Sequence, residues 1–282
     1  MLNIFCFRKK RIGLALGGGA ARGLANFGVI KALRQEKIDF HAVAGTSIGA
    51  VMACVWALNL DLKRVEKKIH NLITTHRDII DIGISKVGFA KGKIIELSIN
   101  EIIGNASFQN FQIPVAIVTT DLENGENTIA SYAPKHFNLK GRWDRANQLK
   151  NIDLITLLKA TCAIPGIYPP IKFEKKILVD GGIKENIPVQ TLLKLGMDKV
   201  IAVDVGYYIK KGPLDNILSI FLQVIQVVGD QINSYDVSKA DLVIKPNLKD
   251  IDQLAFTRGK DAIEQGYKAA MQNMDKIQRL MH

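Results

Sequence analysis

Along this chain, short and continuously apolar runs alternate with longer stretches in which apolar residues recur at helical spacing. Residues 11–16 and 40–44 are runs of the first kind, and each leads into glycine; residues 24–35 and the strongly apolar stretch 48–60 follow them and read as helices. Further runs at 115–120, 176–179, 200–205 and 241–244 read as strands, while 214–235 and 258–281 read as helices. Strands without polar alternation are buried on both faces. A strand-helix-strand-helix opening then predicts a mainly parallel sheet with covering helices. Residues 79–110 and 131–152 show no clear period and are where substrate loops are expected. The 214–235 helix is apolar on more than one face, which by default means core burial, with a subunit interface as the alternative.

Composition narrows this picture. With 282 residues, 48% of them apolar, the chain has ample material for a packed core, and disorder is excluded. No repeat or low-complexity linker marks a boundary, so one domain over residues 11–282 is expected, preceded by an extension of residues 1–10. Cys6, Cys54 and Cys162 are scattered, without a C-x-x-C pair, which gives neither a disulfide framework nor a zinc site and fits a reducing compartment. No metal or other cofactor is expected. The opening MLNIFCF precedes the basic RKKR, the reverse of a secretion signal's order, and no run is long enough to span a bilayer. A soluble, cytoplasmic protein is expected, its net charge of +11 suited to anionic partners. No zinc finger, RNP-like strand or long basic helix points to nucleic acid.

Three short stretches carry candidate chemistry. Gly45-Thr46-Ser47-Ile48-Gly49 lies between a strand and a helix, where small flanking residues permit the tight turn of a nucleophile elbow; an ordinary capped turn is the alternative. Gly17-Gly18-Gly19-Ala20-Ala21-Arg22-Gly23 closes the first strand, and its glycines free consecutive N–H groups to face one anion or oxyanion. As a dinucleotide turn it fits poorly, because the third fingerprint glycine would fall on Arg22. Val179-Asp180-Gly181-Gly182 ends an apolar run in an acid that would be presented at the sheet's carboxyl edge, unless Asp-Gly-Gly merely turns the chain. None of His41, His70, His76, His136 and His282 follows a strand in a turn, so a carboxylate base is expected rather than a histidine.

Taken together and in this order, the glycine run at 13–23, Gly-Thr-Ser-Ile-Gly at 45–49 and Asp-Gly-Gly at 180–182 resemble the patatin-like phospholipase family, its small bacterial members in particular. Ala160 to Gly166, Thr119-Thr120-Asp121-Leu122, the Asn-x-Pro at 186–188 and Asp241 to Pro246 are also similar, so the resemblance runs from about residue 11 to about 270. It implies a three-layer α/β/α fold and a serine lipid acyl hydrolase working through an acyl-enzyme. Ser47 would be the nucleophile and Asp180 the base. Gly17, Gly18 and Gly19 would form the oxyanion hole with Arg22 bracing it, and Gly45, Gly49, Gly181 and Gly182 would support the motifs. A membrane-associated regulator of the same fold with weak or no catalysis is the alternative. Asn26 and Phe27 depart from the His and Ile of many small bacterial members, and residues 131–152 are longer than usual. The substrate would be a phospholipid or another acyl-ester lipid. Peripheral contact with anionic membranes would run through the basic, Trp-bearing segment 134–150 and the N-terminal extension, with a plain solvated loop and an ordinary N-terminal strand as the equal alternatives. An oligomer is open.

Overall fold

The computed structural model describes residues 10–75, 82–85, 88–137, 139–206 and 217–282. Residues 1–9 of the expected extension, Cys6 among them, His76, and the first three residues of the expected 214–235 helix lie outside the described residues. In chain order the elements are β1 (Ile12–Leu16), α1 (Ala25–Gln35), β2 (Ala42–Thr46), α2 (Ile48–Ala57), α3 (Leu62–Thr75), β3 (Ile82–Ser85), β4 (Gly88–Ala90), α4 (Lys93–Ile103), β5 (Val115–Asp121), β6 (Glu126–Tyr132), α5 (Lys140–Ala146), α6 (Leu154–Thr161), β7 (Ile171–Phe173), β8 (Lys176–Asp180), α7 (Val189–Lys194), β9 (Lys199–Val203), α8 (Ile217–Val237), β10 (Leu242–Ile244), α9 (Gly259–Gln272) and α10 (Met274–Met281).

The main sheet runs in the order β10-β9-β1-β2-β5-β8-β7, with β6 also paired to β5, while β3 and β4 form a separate antiparallel ribbon. Pairings from β10 through β5 are parallel. Those of β6, β7 and β8 are antiparallel. The sheet is therefore mostly parallel, as the apolar runs predict.

Size alternates along the central strands and makes the two faces different. Leu14 and Leu16, Val43, Val115 and Ile117, and Ile201 and Val203 share one core with residues of α1, α2, α4, α6 and α9. Ala15, Ala42, Ala44, Ala116 and Ala202 point the other way, into a core with Trp143 of α5 and Leu192 of α7. Large residues on one face and alanines on the other let the second layer approach closely, and three layers result. On the first face, α1 and α9 touch backbone to backbone: a Cβ on Gly28 would lie 1.9 Å from the Ile263 oxygen, and one on Gly266 would lie 1.9 Å from that of Ala25. Only glycine fits there.

The structure corrects several boundaries. Residues 79–110 are not irregular, since they hold β3, β4 and α4, and 131–152 hold the end of β6 and all of α5. Trp143 is fully buried and its indole N–H donates to the Leu195 oxygen at 3.2 Å, so it packs α5 onto α7 and is no interfacial anchor. Its polar neighbours hide that role in the sequence: five of the seven residues of α5 are polar or glycine. The 258–281 helix is two helices meeting at Asn273, whose Nδ2 donates to the Ala269 oxygen at 2.9 Å. In α8, one face is exposed rather than buried, with consequences developed below. Among the described residues no helix is long and apolar enough to cross a membrane, and no cluster suits a metal ion. Cys54 and Cys162 are free and buried.

Candidate active site

Strand ends deliver three segments to one place. At the end of β1, the Gly17 N–H donates to the Val203 oxygen at 3.1 Å and the Gly18 N–H to the Asn186 oxygen at 3.2 Å. Asn186 returns the bond, its Nδ2 donating to the Gly18 oxygen at 3.2 Å. A Cβ on Gly18 would stand 2.6 Å from Asn186 Oδ1 and 3.0 Å from Ser47 Cβ. Two of the three glycines expected to hold an oxyanion thus have their N–H groups engaged by the framework. The N–H groups of Gly19 and Ala20 have no hydrogen-bond partner among the described residues, and both residues line the cavity that contains Ser47 and Asp180. Ala20 has φ of 46°, a left-handed conformation that is costly for a residue with a Cβ.

Arg22 braces this loop from behind. It is buried, does not line the cavity, and donates through Nε to the Ile251 oxygen at 2.7 Å and through its two terminal nitrogens to the Gly206 oxygen at 3.4 Å and Gln226 Oε1 at 3.5 Å. Asn26 does the same from inside: its Nδ2 donates to the oxygens of Gly17 and Gly23, each at 2.9 Å.

Ser47 occupies the corner between β2 and α2 with φ 55° and ψ −133°. Such a backbone costs about 1–3 kcal/mol and persists only where its surroundings enforce it. Here they do. The helix crosses so close that a Cβ on Gly45 would lie 2.3 Å from the Gly49 oxygen and one on Gly49 would lie 2.2 Å from the Leu16 oxygen. The Ser47 N–H donates to Thr161 Oγ1 at 2.9 Å, and the Thr161 hydroxyl donates in turn to the Val118 oxygen at 2.6 Å. The serine also sits at the amino end of α2, where the helix dipole favours negative charge.

Asp180 arrives by an antiparallel route. Its strand pairs Thr119 with Asp180, and β2 pairs Thr46 with Val118, so the residue after Thr46 and Asp180 stand level on the sheet, two strands apart. The apolar run before Asp180 predicts a parallel strand, but β8 is antiparallel and runs inward from the carboxyl edge of the sheet, because the β7–β8 hairpin turns the chain back. Gly181 is forced by proximity, since its Cβ would lie 2.6 Å from the Val118 oxygen. Gly182 contributes its N–H, which donates to Asp180 Oδ1 at 2.8 Å. Burial pushes the Asp180 carboxyl up to about 6, while the Gly182 N–H and the adjacent Ser47 hydroxyl pull it back down. Burial likewise raises Glu185, whose carboxylate accepts from the Thr191 N–H and hydroxyl, each at 2.8 Å.

Ser47 separates two cavities. One, with about 880 Å³ of free space, is bounded by Asp180, Gly19, Ile164 and the α8 residues Leu222, Val224 and Val228. The other, about 650 Å³, runs between α2 and α4 along Val51, Ile95, Ile99, Ile102 and Cys162. Among the described residues no histidine lines either cavity; His41 is structural, its Nδ1 accepting from the Ile12 N–H at 3.1 Å. Asn26, Asn233 and Asp204 carry no motif of their own, and although Thr161 and Asn186 lie in the stretches 160–166 and 186–188, the hydrogen bonds they make are visible only in three dimensions.

Known proteins resemble this chain in sequence and in fold. The chain is 29% identical over 203 residues to the lysophospholipase NTE1 of Coccidioides immitis, which covers 70% of this chain and 12% of that protein. To an uncharacterised NTE-family protein of Mycobacterium tuberculosis it is 31% identical over 200 residues, 70% of this chain and 49% of the other. It thus spans half or less of the length of these relatives. Among solved structures, VipD from Legionella pneumophila superposes with a TM-score of 0.53 at 14% identity, over 95% of this chain and 67% of that one, a likeness of fold. The family model described as patatin-like phospholipase matches residues 14–193, from within β1 to within α7, and the chain belongs to that family.

Proposed function

We propose that the protein is a serine acyl hydrolase of lipid esters, a phospholipase A or lysophospholipase, with Ser47 as nucleophile and Asp180 as its base. The observation that carries this reading is the strained Ser47 corner, held beside a buried carboxylate and opening on two apolar cavities. The Ser47 hydroxyl gives its proton to Asp180 as Oγ attacks the acyl carbonyl carbon. Negative charge develops on the carbonyl oxygen, which faces the N–H groups of Gly19 and Ala20 and the amino end of α2. Collapse expels the alcohol portion of the lipid, which takes the proton from Asp180. Water then attacks the acyl-enzyme, giving its proton to Asp180, and the fatty acid leaves as Ser47 regains its hydrogen.

Burial suits Asp180 to this work. A carboxyl raised to about 6 is a stronger base than a solvated one yet remains largely ionised at neutral pH. The two cavities divide the substrate: the narrow apolar one between α2 and α4 takes the acyl chain, and the one beneath α8 takes the rest of the lipid. The names of the fungal relatives favour a lysophospholipid as the first substrate to test. Residues 11–282 would work as one unit, without metal or cofactor, in the cytoplasm or at a membrane's inner face. A fluorophosphonate probe checks the nucleophile: covalent mass on the Ser47 peptide, lost in Ser47→Ala together with ester hydrolysis, is expected. Absence of both labelling and turnover in the folded protein would favour the regulatory reading.

A further inference from the structure

The helix α8 is built inside out. Gln226, Asn233 and Asp236 are 4%, 3% and 1% exposed, whereas Ile220, Val224, Val227, Val228 and Tyr235 are 48%, 52%, 51%, 51% and 60% exposed. At helical spacing these five apolar residues fall within an arc of about 100°, which they share with Gln231. The polar underside is fully engaged. Gln226 Oε1 accepts from Arg22 at 3.5 Å, Asn233 donates to Asp204 Oδ1 at 2.8 Å and accepts from Asn186 Nδ2 at 2.9 Å, and Asp236 Oδ2 accepts from the Ile187 N–H at 2.9 Å. Rolling the helix to hide its apolar side would strand those groups, so the orientation is fixed. An apolar stripe held outward in this way marks a surface that meets something apolar.

We propose that this face of α8 is the surface on which the protein docks to a phospholipid bilayer; the proposal rests on the hydrolase reading and names where the substrate comes from. Three observations select a lipid surface over a second copy of the chain. Val224 and Val228 belong both to the stripe and to the wall of the Ser47–Asp180 cavity, so whatever covers the stripe also faces that cavity, and a protein subunit there would block lipid entry. The stripe carries no acid, and it ends where Lys239 Nζ lies 5.1 Å over the Tyr235 ring, an aromatic–cation pair of the kind that sits at headgroup level. The chain's charge of +11 draws it to anionic bilayers. The docking face is therefore the outer side of α8, whereas the tryptophan of the basic segment 134–150 is committed to the core.

The test uses Ser47→Ala protein, so that no lipid is consumed, and vesicles of phosphatidylcholine and phosphatidylglycerol. Combining Ile220→Ser, Val227→Ser and Tyr235→Ser, none of them in a cavity wall, should lower vesicle partitioning by about tenfold or more. With Ser47 restored, the same three changes should leave hydrolysis of a short monomeric ester unaltered. A milder probe guards against misfolding. Trp56 and Trp143 are both buried, so Val227→Trp reports the stripe: its emission should shift to the blue on adding vesicles, while Glu264→Trp on α9 should not respond. Unchanged partitioning of the triple variant, or a silent Val227→Trp, overturns the proposal. So does a vesicle-free dimer that the same substitutions dissolve, which would assign the face to a second copy. Loss of ester hydrolysis in the parent protein would instead strike the hydrolase reading and leave the partitioning result standing.

Discussion

Replacing Asp180 with Asn separates what the carboxylate does for catalysis from what it costs the fold. Asparagine keeps an oxygen to accept from the Gly182 N–H and removes only the charge. In the folded chain the carboxyl is raised from 3.8 to about 6, chiefly by burial. Ionisation is thus harder in the folded state than in the unfolded one, and the wild-type protein loses stability as pH rises from the unfolded value through the folded one. Above that range the penalty is complete. A rise of this size corresponds to about 3 kcal/mol, roughly half of it incurred by about pH 5. The Asp180→Asn protein escapes the penalty, so its stability relative to wild type should improve by about 1–1.5 kcal/mol between about pH 5 and about pH 8. Urea denaturation of both proteins at the two pH values measures the difference. The Asp236 carboxyl, raised to about 7 mainly by burial, titrates in both proteins and cancels. Turnover should move the opposite way: wild-type kcat/KM rises with pH around 6, and the variant falls by about 10²–10⁴. A stability difference that is flat or shrinks with rising pH would refute the buried-charge argument, and full activity in the folded variant would refute the base.

Two further substitutions probe the framework. Thr161→Val leaves the Ser47 N–H and the Val118 oxygen without the hydroxyl that joins them, which should cost about 1–3 kcal/mol and lower kcat as the strained corner relaxes; thermal melting and ester hydrolysis report both, and a variant equal to wild type would show that the corner needs no such tie. Gly28→Ala places a Cβ 1.9 Å from the Ile263 oxygen and should destabilise by about 1–3 kcal/mol or more with little effect on the chemistry of whatever protein remains folded, read as a lower melting temperature; an unshifted melt would mean that α1 and α9 separate freely.

Much of the site is legible before any coordinates. Gly45, Gly49 and Gly181 are where the structure requires close approach, and the continuously apolar strands other than β8 lie in the parallel part of the sheet. Other features leave no local trace. Thr161 lies in the family-like stretch 160–166, but nothing local there points to its bond to Ser47, which spans 114 positions. The engagement of the Gly17 and Gly18 N–H groups depends on β9 and on Asn186, so the primary structure could name the loop without saying which of its donors face the cavity. Trp143 sits among basic residues that suggest a surface, and only the packing of α5 on α7 places it in the core.

Local sequence by itself determined where the chain must turn tightly, which runs are buried on both sides and which residues bear reactive groups, because backbone sterics and transfer from water act residue by residue. Tertiary structure alone decided that Asp180 comes level with Ser47 on a strand running the opposite way, and that α8 turns its polar side inward and its valines outward. Those outcomes depend on hydrogen bonds between residues far apart in the chain, and such pairings exist only once the strands are in register.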